Sequence, residues 1–561
     1  MPIKSDPKSI VKRYRKLWDG ASNWRSLWQE ITMFMSPRKS VVTLMRSPGS
    51  KRTHGTLVYD STAQDSAFTL QSSIHGSLSS STSLWFEFEA APELMDDEEV
   101  AAWLHKSARF IFRLFQQSNF DSEVQETYGD DVTVATSALL IEEFMDPDAP
   151  GQLGGYQFLA LAPGTYVIAE DARGQVDTLM REVKMSIRAA VDKWGVGKLP
   201  RRIQTRYEQE PDEEITILHA IYSRQGPRVS VEPGTKAKYL PFASHWIEIE
   251  SQEEIAEGGF HEFPVAVCRW SKQSGELYGR GLGELSLPDT KTLNEGVKLR
   301  LQGWALAVRP AMKARHRGVI GRIKITPASV NIVRDMNDLA PIEMGSRFDV
   351  ANFNEEKYRE SIRSTFFNDK LTLPDKSIIT ATEANQRIRQ MQRILGPALG
   401  RLDHEKLRKV VSRSFRIALR SGALDPIPHA LIAAAGGNKA KIAVSFVGPL
   451  ARAQRAQELE SMAEFVGATL PLVEVFPEIP DNIDADALVQ FAGRATAMPF
   501  LRTPNAVKKV RKARVDAQNA QAQQQGLLDA AKAVGQAGPA LKDAAEMQNP
   551  FDAEIGGEEA A

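Results

Sequence analysis

The chain has 561 residues, enough for three or four domains or for one large body with insertions. Hydrophobic residues make up 42 % and charged residues 25 %, with 38 glycines and 30 prolines, which excludes collagen, coiled coil and wholesale disorder. With 70 Lys and Arg against 71 Asp and Glu the net charge is -1, so a polyanion could be met only by local patches, and the single cysteine, Cys268, excludes a disulfide framework or a multi-cysteine metal site.

In chain order, Ile10, Tyr14, Leu17 and Trp18, then Trp24, Leu27, Trp28, Ile31 and Phe34, recur at helical spacing and predict two helices broken at Asp19-Gly20. The basic start lacks the apolar core of an export signal, and no apolar run approaches the ~18 residues that span a bilayer. The chain is therefore expected to be soluble and made in a reducing cytoplasm. Residues 37–50 are basic and rich in Ser, Pro and Gly, a loop by composition. Asp60-Ser61-Thr62 can cap a helix with Ala63, Ala67, Leu70 and Ile74 on one side. The stretch from Glu98 to Phe144 reads as helical again. Residues 147–179 suggest short strands, 179–194 a modest helix, and 201–269 a β-rich insertion with the strand-like runs ITILHAIYS, RVSVE, HWIEIES and PVAVCRW. Two acid runs, one from Glu208 to Glu214 and one from Glu248 to Glu257, give that insertion the look of a docking surface that could be deleted without loss of the rest.

A long helix is predicted next, with Ser286-Leu287-Pro288-Asp289 as its start and Arg309-Pro310 as its stop. At 100° per residue Leu293, Val297, Leu301, Trp304 and Val308 fall in one arc, expected to pack, and Lys291, Lys298 and Arg309 lie on nearly the opposite side. A basic strand-like segment follows, then a short helix over 355–367. Thr380-Ala381-Thr382-Glu383 reads as a capping box opening a helix that Gly396-Pro397 interrupts before a second helix ends at Gly422. KIAVSFV reads as a strand, a few short helices lead to Leu501, and the tail from 503 is expected to be flexible, with a basic cluster and then an acidic end.

Catalytic patterns are missing. There is no G-x-x-x-x-G-K-S/T, and Gly279-Arg280-Gly281-Leu282-Gly283 fails the dinucleotide spacing and reads as an elbow into a helix. The histidines are scattered, so no histidine ligand pair for a metal is present. Asp130-Asp131 and Glu142-Glu143 read as solvated surface, and Cys268 as an inert buried thiol. The sequence calls for no catalytic residue, cofactor or metal. The positive signal is charge clustering. Between Gly296 and Arg334 stand Lys298, Arg300, Arg309, Lys313, Arg315, Arg317, Arg322, Lys324 and Arg334 with no acid, and 387–420 adds ten basic residues against Asp403 and Glu405. Together they make a polyanion-facing surface plausible, and the scarcity of aromatics there favours backbone contact with duplex over base stacking.

LVYDSTA followed by a segment ending in LWFEF, then GFHEFPVAVCRW, ELYGRGLGELSLPDTKTLNE and ITATEANQRIRQMQRILGPALGRL, in order over residues 10 to 500, resembles the head-to-tail connector (portal) proteins of short-tailed bacteriophages. One departure lies in VTVATSALLIEE, where the family pattern would put a glycine at Ala135, before Thr136. The resemblance implies a mixed α/β, predominantly helical fold assembling as a ring of twelve copies with a central channel. It would divide into a wing (1–178), a first stem helix (179–195), an acidic β-rich clip (196–283), a second stem helix (284–312), wing strands and a channel loop (313–379), wing-to-crown helices and crown (380–502) and a flexible tail (503–561). Lys291, Lys298, Arg309, Lys313, Arg315 and Arg317 would face DNA or a neighbouring subunit, and Leu293, Val297, Leu301, Trp304 and Val308 would pack the stem. Expected partners are further copies of the chain, double-stranded DNA without sequence preference, capsid and scaffolding proteins, the packaging terminase and tail adaptors, with no membrane. The expected place is the head-tail vertex of the virion. The alternatives are a nucleic-acid-processing packaging enzyme, such as a nuclease, and another tail or scaffold component.

Overall fold

The computed structural model describes residues between 6 and 526, apart from 40–41, 43–57, 225–228, 230–234, 324–330, 343–347, 372–395, 436–441, 449–458, 472–482, 496–506 and a few isolated positions. The RVSVE run falls almost wholly outside the described residues, as does the capping box at Thr380. The chain forms two compact units, one of residues 1–88, 106–425 and 444–454, the other of 89–105, 426–443 and 455–561. Strands and helices mix, helices predominate, and no described helix is long and apolar enough to cross a membrane.

The first unit opens with α1 (Pro7–Gly20) and α2 (Ser22–Met35), broken where Asp19-Gly20 stands, and α3 (Thr62–Leu78). Asp60 accepts from the Thr62 amide at 2.9 Å, and Ala63, Ala67, Leu70 and Ile74 are all buried as the spacing requires. After β1 (Phe86–Glu89) the single turn α4 (Pro92–Met95) and the start of α5 (Glu98–Gln117) are counted with the second unit, and the rest of α5 and α6 (Phe120–Thr133) return to the first. Trp85 is buried among Phe86, Phe115, Phe120 and Phe446, with ring centroids 4.8–6.3 Å away.

The helix expected to reach Phe144 stops at Thr133. Residues Thr136–Met145 form β2 instead, the centre of a three-stranded antiparallel sheet between β3 (Leu153–Leu161) and β9 (Val265–Arg269). Thr136 to Ile141 are buried without alternation because both faces of β2 are covered, so the run carries no period-2 signal. Ala135 makes the corner between α6 and β2 with φ 62°, the left-handed region that disfavours a Cβ. This is the position where a glycine was expected. Replacing Ala135 by glycine should remove that penalty and stabilise the chain by about 0.5–1 kcal/mol, net of the greater unfolded-state freedom of glycine. A denaturation midpoint that falls for Ala135→Gly would contradict the backbone argument.

A second correction concerns 179–194. Val176–Ser186 is β5, and only Ile187–Trp194 is helical (α7). Val176, Thr178 and Met180 sit on one side of an extended chain paired to β4 (Tyr166–Glu170) and to β6 (Glu214–Ser223), and Ser186 ends the strand by capping α7 through the Ala189 amide. One meander, β4-β5-β6-β7-β8, continues through β7 (Phe242–Glu248) and β8 (Glu254–Phe260). Residues 201–269 are thus not a separable insertion. They begin with a helix, α8 (Arg201–Gln209), supply three strands of a five-stranded sheet and then give β9 to the other sheet. Ile187, Ala190, Leu199 and Ile203 of the α7–α8 segment pack on Ile215, Ile217 and Ile255 of the sheet. Removing 201–269 would strip both sheets. The acid runs are partly neutralised locally: Arg188 meets Asp212 at 3.4 Å, Arg206 pairs with Glu213 and Arg202 with Glu250.

The core of this unit contains charge. Asp130 and Asp131 are buried, not solvated. Lys39 donates to Asp130 at 2.8 Å, and Lys406 pairs with Asp131 with both side chains 0 % exposed, donating also to Thr127 at 3.0 Å over the Tyr128 ring. Alongside, Arg269 of β9 donates to Glu405 at 3.0 Å and pairs with Glu170, which also receives Lys272 at 2.5 Å. Burial pushes the Asp130 carboxyl up to about 6, only partly opposed by Lys39. The folded chain then holds a proton that the unfolded chain releases near pH 4, so this group's contribution to stability is full below pH 4 and falls as pH rises to about 6. A shift of roughly 2 units corresponds to about 3 kcal/mol. Wild-type stability measured relative to Asp130→Asn should therefore decline between pH 4 and 6 and stay level above, and a flat difference would refute the buried titration. Cys268 is buried beside these groups, and desolvation raises its thiol well above the usual range.

The second unit is described by itself as helical, with His429–Ala435, 461–469 and Ala485–Ala495. Residues 507–526, expected to be flexible, form a helix of exposed Lys, Arg, Ala and Gln, all good helix formers, with Arg511 gripping Asp486 at 2.5 Å through both guanidinium nitrogens.

Candidate functional site at the end of the long helix

The long helix α9 spans Leu282–Val308, six residues earlier in its start than Pro288 suggests. Pro288 lies inside its second turn, and the entry is built from glycines instead of a Ser cap. A Cβ on Gly279 would stand 2.2 Å from the Ala135 carbonyl oxygen, one on Gly281 2.7 Å from the Ala135 Cβ, and one on Gly283 2.1 Å from the Thr133 oxygen. The glycines let the helix begin in contact with the α6–β2 corner, and the Gly279 amide donates to Thr136 Oγ1 at 2.9 Å. The elbow reading of this run holds, with close packing as its cause.

Along α9 the surroundings change halfway. Leu293 and Val297 are buried, and Asn294 accepts the Tyr59 amide at 2.7 Å. Beyond them the expected packed stripe is uncovered in the single chain: Leu301 is 41 % exposed, Trp304 44 % and Val308 80 %, with Leu299 and Leu306 also exposed. Arg300 lies over the Trp304 ring at 4.8 Å and pairs with Glu355 of α10 (Phe348–Thr365) at 2.9 Å.

The candidate cations separate into paired and open ones. Lys291 meets Glu30 at 2.8 Å and Lys298 meets Glu295 at 3.0 Å. Arg309 follows the last turn of α9, exposed. After it the chain forms an arm of nested antiparallel pairs, β10 (Met312–Ala314) with β13 (Leu339–Pro341) and β11 (Val319–Ile320) with β12 (Ile332–Val333). Lys313, Arg322 and Arg334 are exposed on it, and Arg315 is 3.8 Å from Asp338. Arg317 and Lys324 lie outside the described residues. Ile320 and Ile332 are exposed on the same arm, so it presents cations and apolar side chains together.

The second basic run has a different fate. Lys406 goes to Asp131, Arg408 to Asp403 at 3.8 Å, and Arg413 and Arg420 both to Glu262, with Arg413 Nε donating also to the Ile141 carbonyl at 3.2 Å. These residues, proposed above as part of a polyanion surface, instead make internal pairs: Lys406 to α6, Arg413 and Arg420 to the segment between β8 and β9, and Arg413 also to β2. Sequence reasoning missed the pairs to Asp131 and Glu262 because those acids lie well over a hundred residues away in the chain.

The model of the bacteriophage head to tail connecting protein family matches residues 7–500. The chain belongs to that family. It is similar over 548 residues, at 26 % identity and 94 % of each chain, to a probable portal protein of Bordetella phage BPP-1. It is likewise similar over 542 residues, at 25 % identity and 93 % of this chain against 94 % of the other, to the portal protein of Salmonella phage epsilon15. Within this connector family the Tyr278 to Gly283 run, one of the motifs carrying the resemblance, has its physical reason in the glycine contacts with the α6–β2 corner.

Proposed function

We propose that the chain is a phage portal: a ring of twelve copies at one capsid vertex, through which double-stranded DNA is packaged and ejected and on which motor and tail proteins dock. The match over residues 7–500 carries this reading. The uncovered Leu301, Trp304 and Val308 on one face of α9, with Leu299 and Leu306 exposed on the opposite face, support the ring, because apolar side chains left open on both sides of a folded helix call for partner surfaces. Arg309, Lys313, Arg322 and Arg334 are the cations left open to meet DNA phosphate, while Lys291 and Lys298 serve local pairs first. Electron micrographs and native mass of the purified, folded chain test the ring, and monomer alone at micromolar concentration would overturn it. The role is that of a conduit, not of an enzyme; ATP turnover or DNA cleavage that survives purification and vanishes with one substitution would revive the packaging-enzyme alternative.

Since Trp304 is half exposed, Trp304→Ala is expected to leave the chain's own stability within about 1 kcal/mol while reducing assembly, whereas Leu293→Ala should cost about 2–5 kcal/mol in the chain itself. Denaturation midpoint and ring yield, measured together, separate the two. Equal loss of both quantities in Trp304→Ala would place the tryptophan in the core after all.

A further inference from the structure

Between the helical residues 396–401 and the helix Arg408–Arg420 the backbone widens into a π-turn over Leu402–Leu407. Its cause is legible in the burial pattern. Upstream, Leu399, Leu402 and Lys406 are buried at spacings of three and four; downstream, Leu407, Val410, Val411, Ser414, Ile417 and Ala418 continue the same rhythm. The upstream series itself continues past the turn through Val410, Arg413 and Ile417, and from Leu407 onward a second series, Leu407, Val411, Ser414 and Ala418, lies one place beside it, so the buried face widens and its centre moves toward Leu407. In an unbroken α-helix Leu402 and Leu407 would point about 140° apart. A turn closed by i→i+5 bonds brings them to one side and absorbs the surplus residue.

The wide turn leaves polar atoms unsatisfied. Arg401 Nη1, Asp403 Oδ1 and Arg408 Nε are buried and find no hydrogen-bond partner among the described residues, and Arg401 stands 3.5 Å from Glu405, too loose for a hydrogen bond. What holds the turn is set at its far side: Glu405 accepts from the Arg269 side chain at 3.0 and 3.2 Å, and Lys406 is locked to Asp131 and Thr127.

We propose that the Leu402–Leu407 turn is a register switch. Relaxing it to α geometry turns residues 396–401 by about 100° and shifts them about 1.5 Å relative to Arg408–Arg420, with the Glu405 and Lys406 ion pairs as the latch that keeps the wide form. Amide hydrogen exchange on the full chain tests this. In the wild type, residues 402–407 should exchange at least tenfold faster than Val410 to Ala418. Deleting His404, an exposed residue of the turn, brings Lys406 and Leu407 to third and fourth place after Leu402. It should slow exchange across the turn at least tenfold without lowering the melting temperature. Unchanged exchange, or a lower melting temperature in a folded deletion variant, would overturn the proposal. Should the deletion fail to fold, Glu405→Gln decides: it keeps the length and weakens the latch, so exchange must accelerate at least threefold in 396–407 and stay constant over Val410 to Ala418. Parallel acceleration of both segments would mean general destabilisation and no switch.

Discussion

Replacing Lys406 by methionine is expected to cost about 3–5 kcal/mol, the largest effect of any single side chain described above, because it leaves Asp131 buried without its counter-charge. Both members of the pair are completely enclosed, 275 residues apart in sequence, and join α6 to the Leu402–Leu407 turn. Desolvation already raises the Asp131 carboxyl, with Lys406 as the main opposing influence, so the variant should take up a proton there and lose less stability at low pH than at pH 7. The check is a urea midpoint at two pH values for the single variant and for Lys406→Met with Asp131→Asn. The double variant should recover more than half of the loss. A single variant costing under 1 kcal/mol, or a double variant no better than the single, would show that the pair is not what ties these elements together.

Gly283→Ala should be nearly as damaging, at about 3 kcal/mol, and for a different reason. The new Cβ would stand 2.1 Å from the Thr133 carbonyl oxygen and 2.9 Å from Ile31 Cγ2, and the first of these is backbone, which cannot rotate away. The start of α9 must lift off the α6–β2 corner, an overpacking cost of the kind that propagates along a helix. Gly296 in the same helix has nothing within 4 Å of its missing Cβ, so Gly296→Ala is the control and should be neutral or stabilising. Thermal unfolding of the two variants side by side decides the matter. Comparable melting temperatures would mean that the glycine contacts do not constrain the entry.

How much of this was legible beforehand differs by kind of interaction. The faces of α3 and of the first half of α9 were readable because each is amphipathic by itself and buries against one neighbouring surface. β2 and β5 were misread as helix because β2 is enclosed on both sides and β5 passes from a buried to a half-exposed setting, so neither shows clean alternation. The start of α9 was placed too late because Pro288 was taken as a first-turn residue, whereas the tight glycine contacts that begin the helix six residues earlier involve residues almost 150 positions away. Asp130-Asp131 were read as surface for the same reason: a carboxylate's partner is invisible until the chain folds. Ala135 is a different case: the departure from the family pattern was read as a local change of packing, and the structure shows it to be a backbone corner with φ 62°.

At 1.5 Å per residue, α9 is about 40 Å long, and its side chains are held by the body only as far as Arg300. It behaves as a cantilever, clamped at the glycine entry and free toward Val308, with the basic arm mounted on its tip. Position and orientation of the tip are then coupled through the helical screw. One residue added between Leu299 and Val308 would swing the arm by about 100° for about 1.5 Å of extra reach, while four residues would carry it about 6 Å outward with only about 40° of rotation. Reach can thus be adjusted in steps near a whole helical turn without re-aiming the cations, and finer adjustment of distance always changes their bearing.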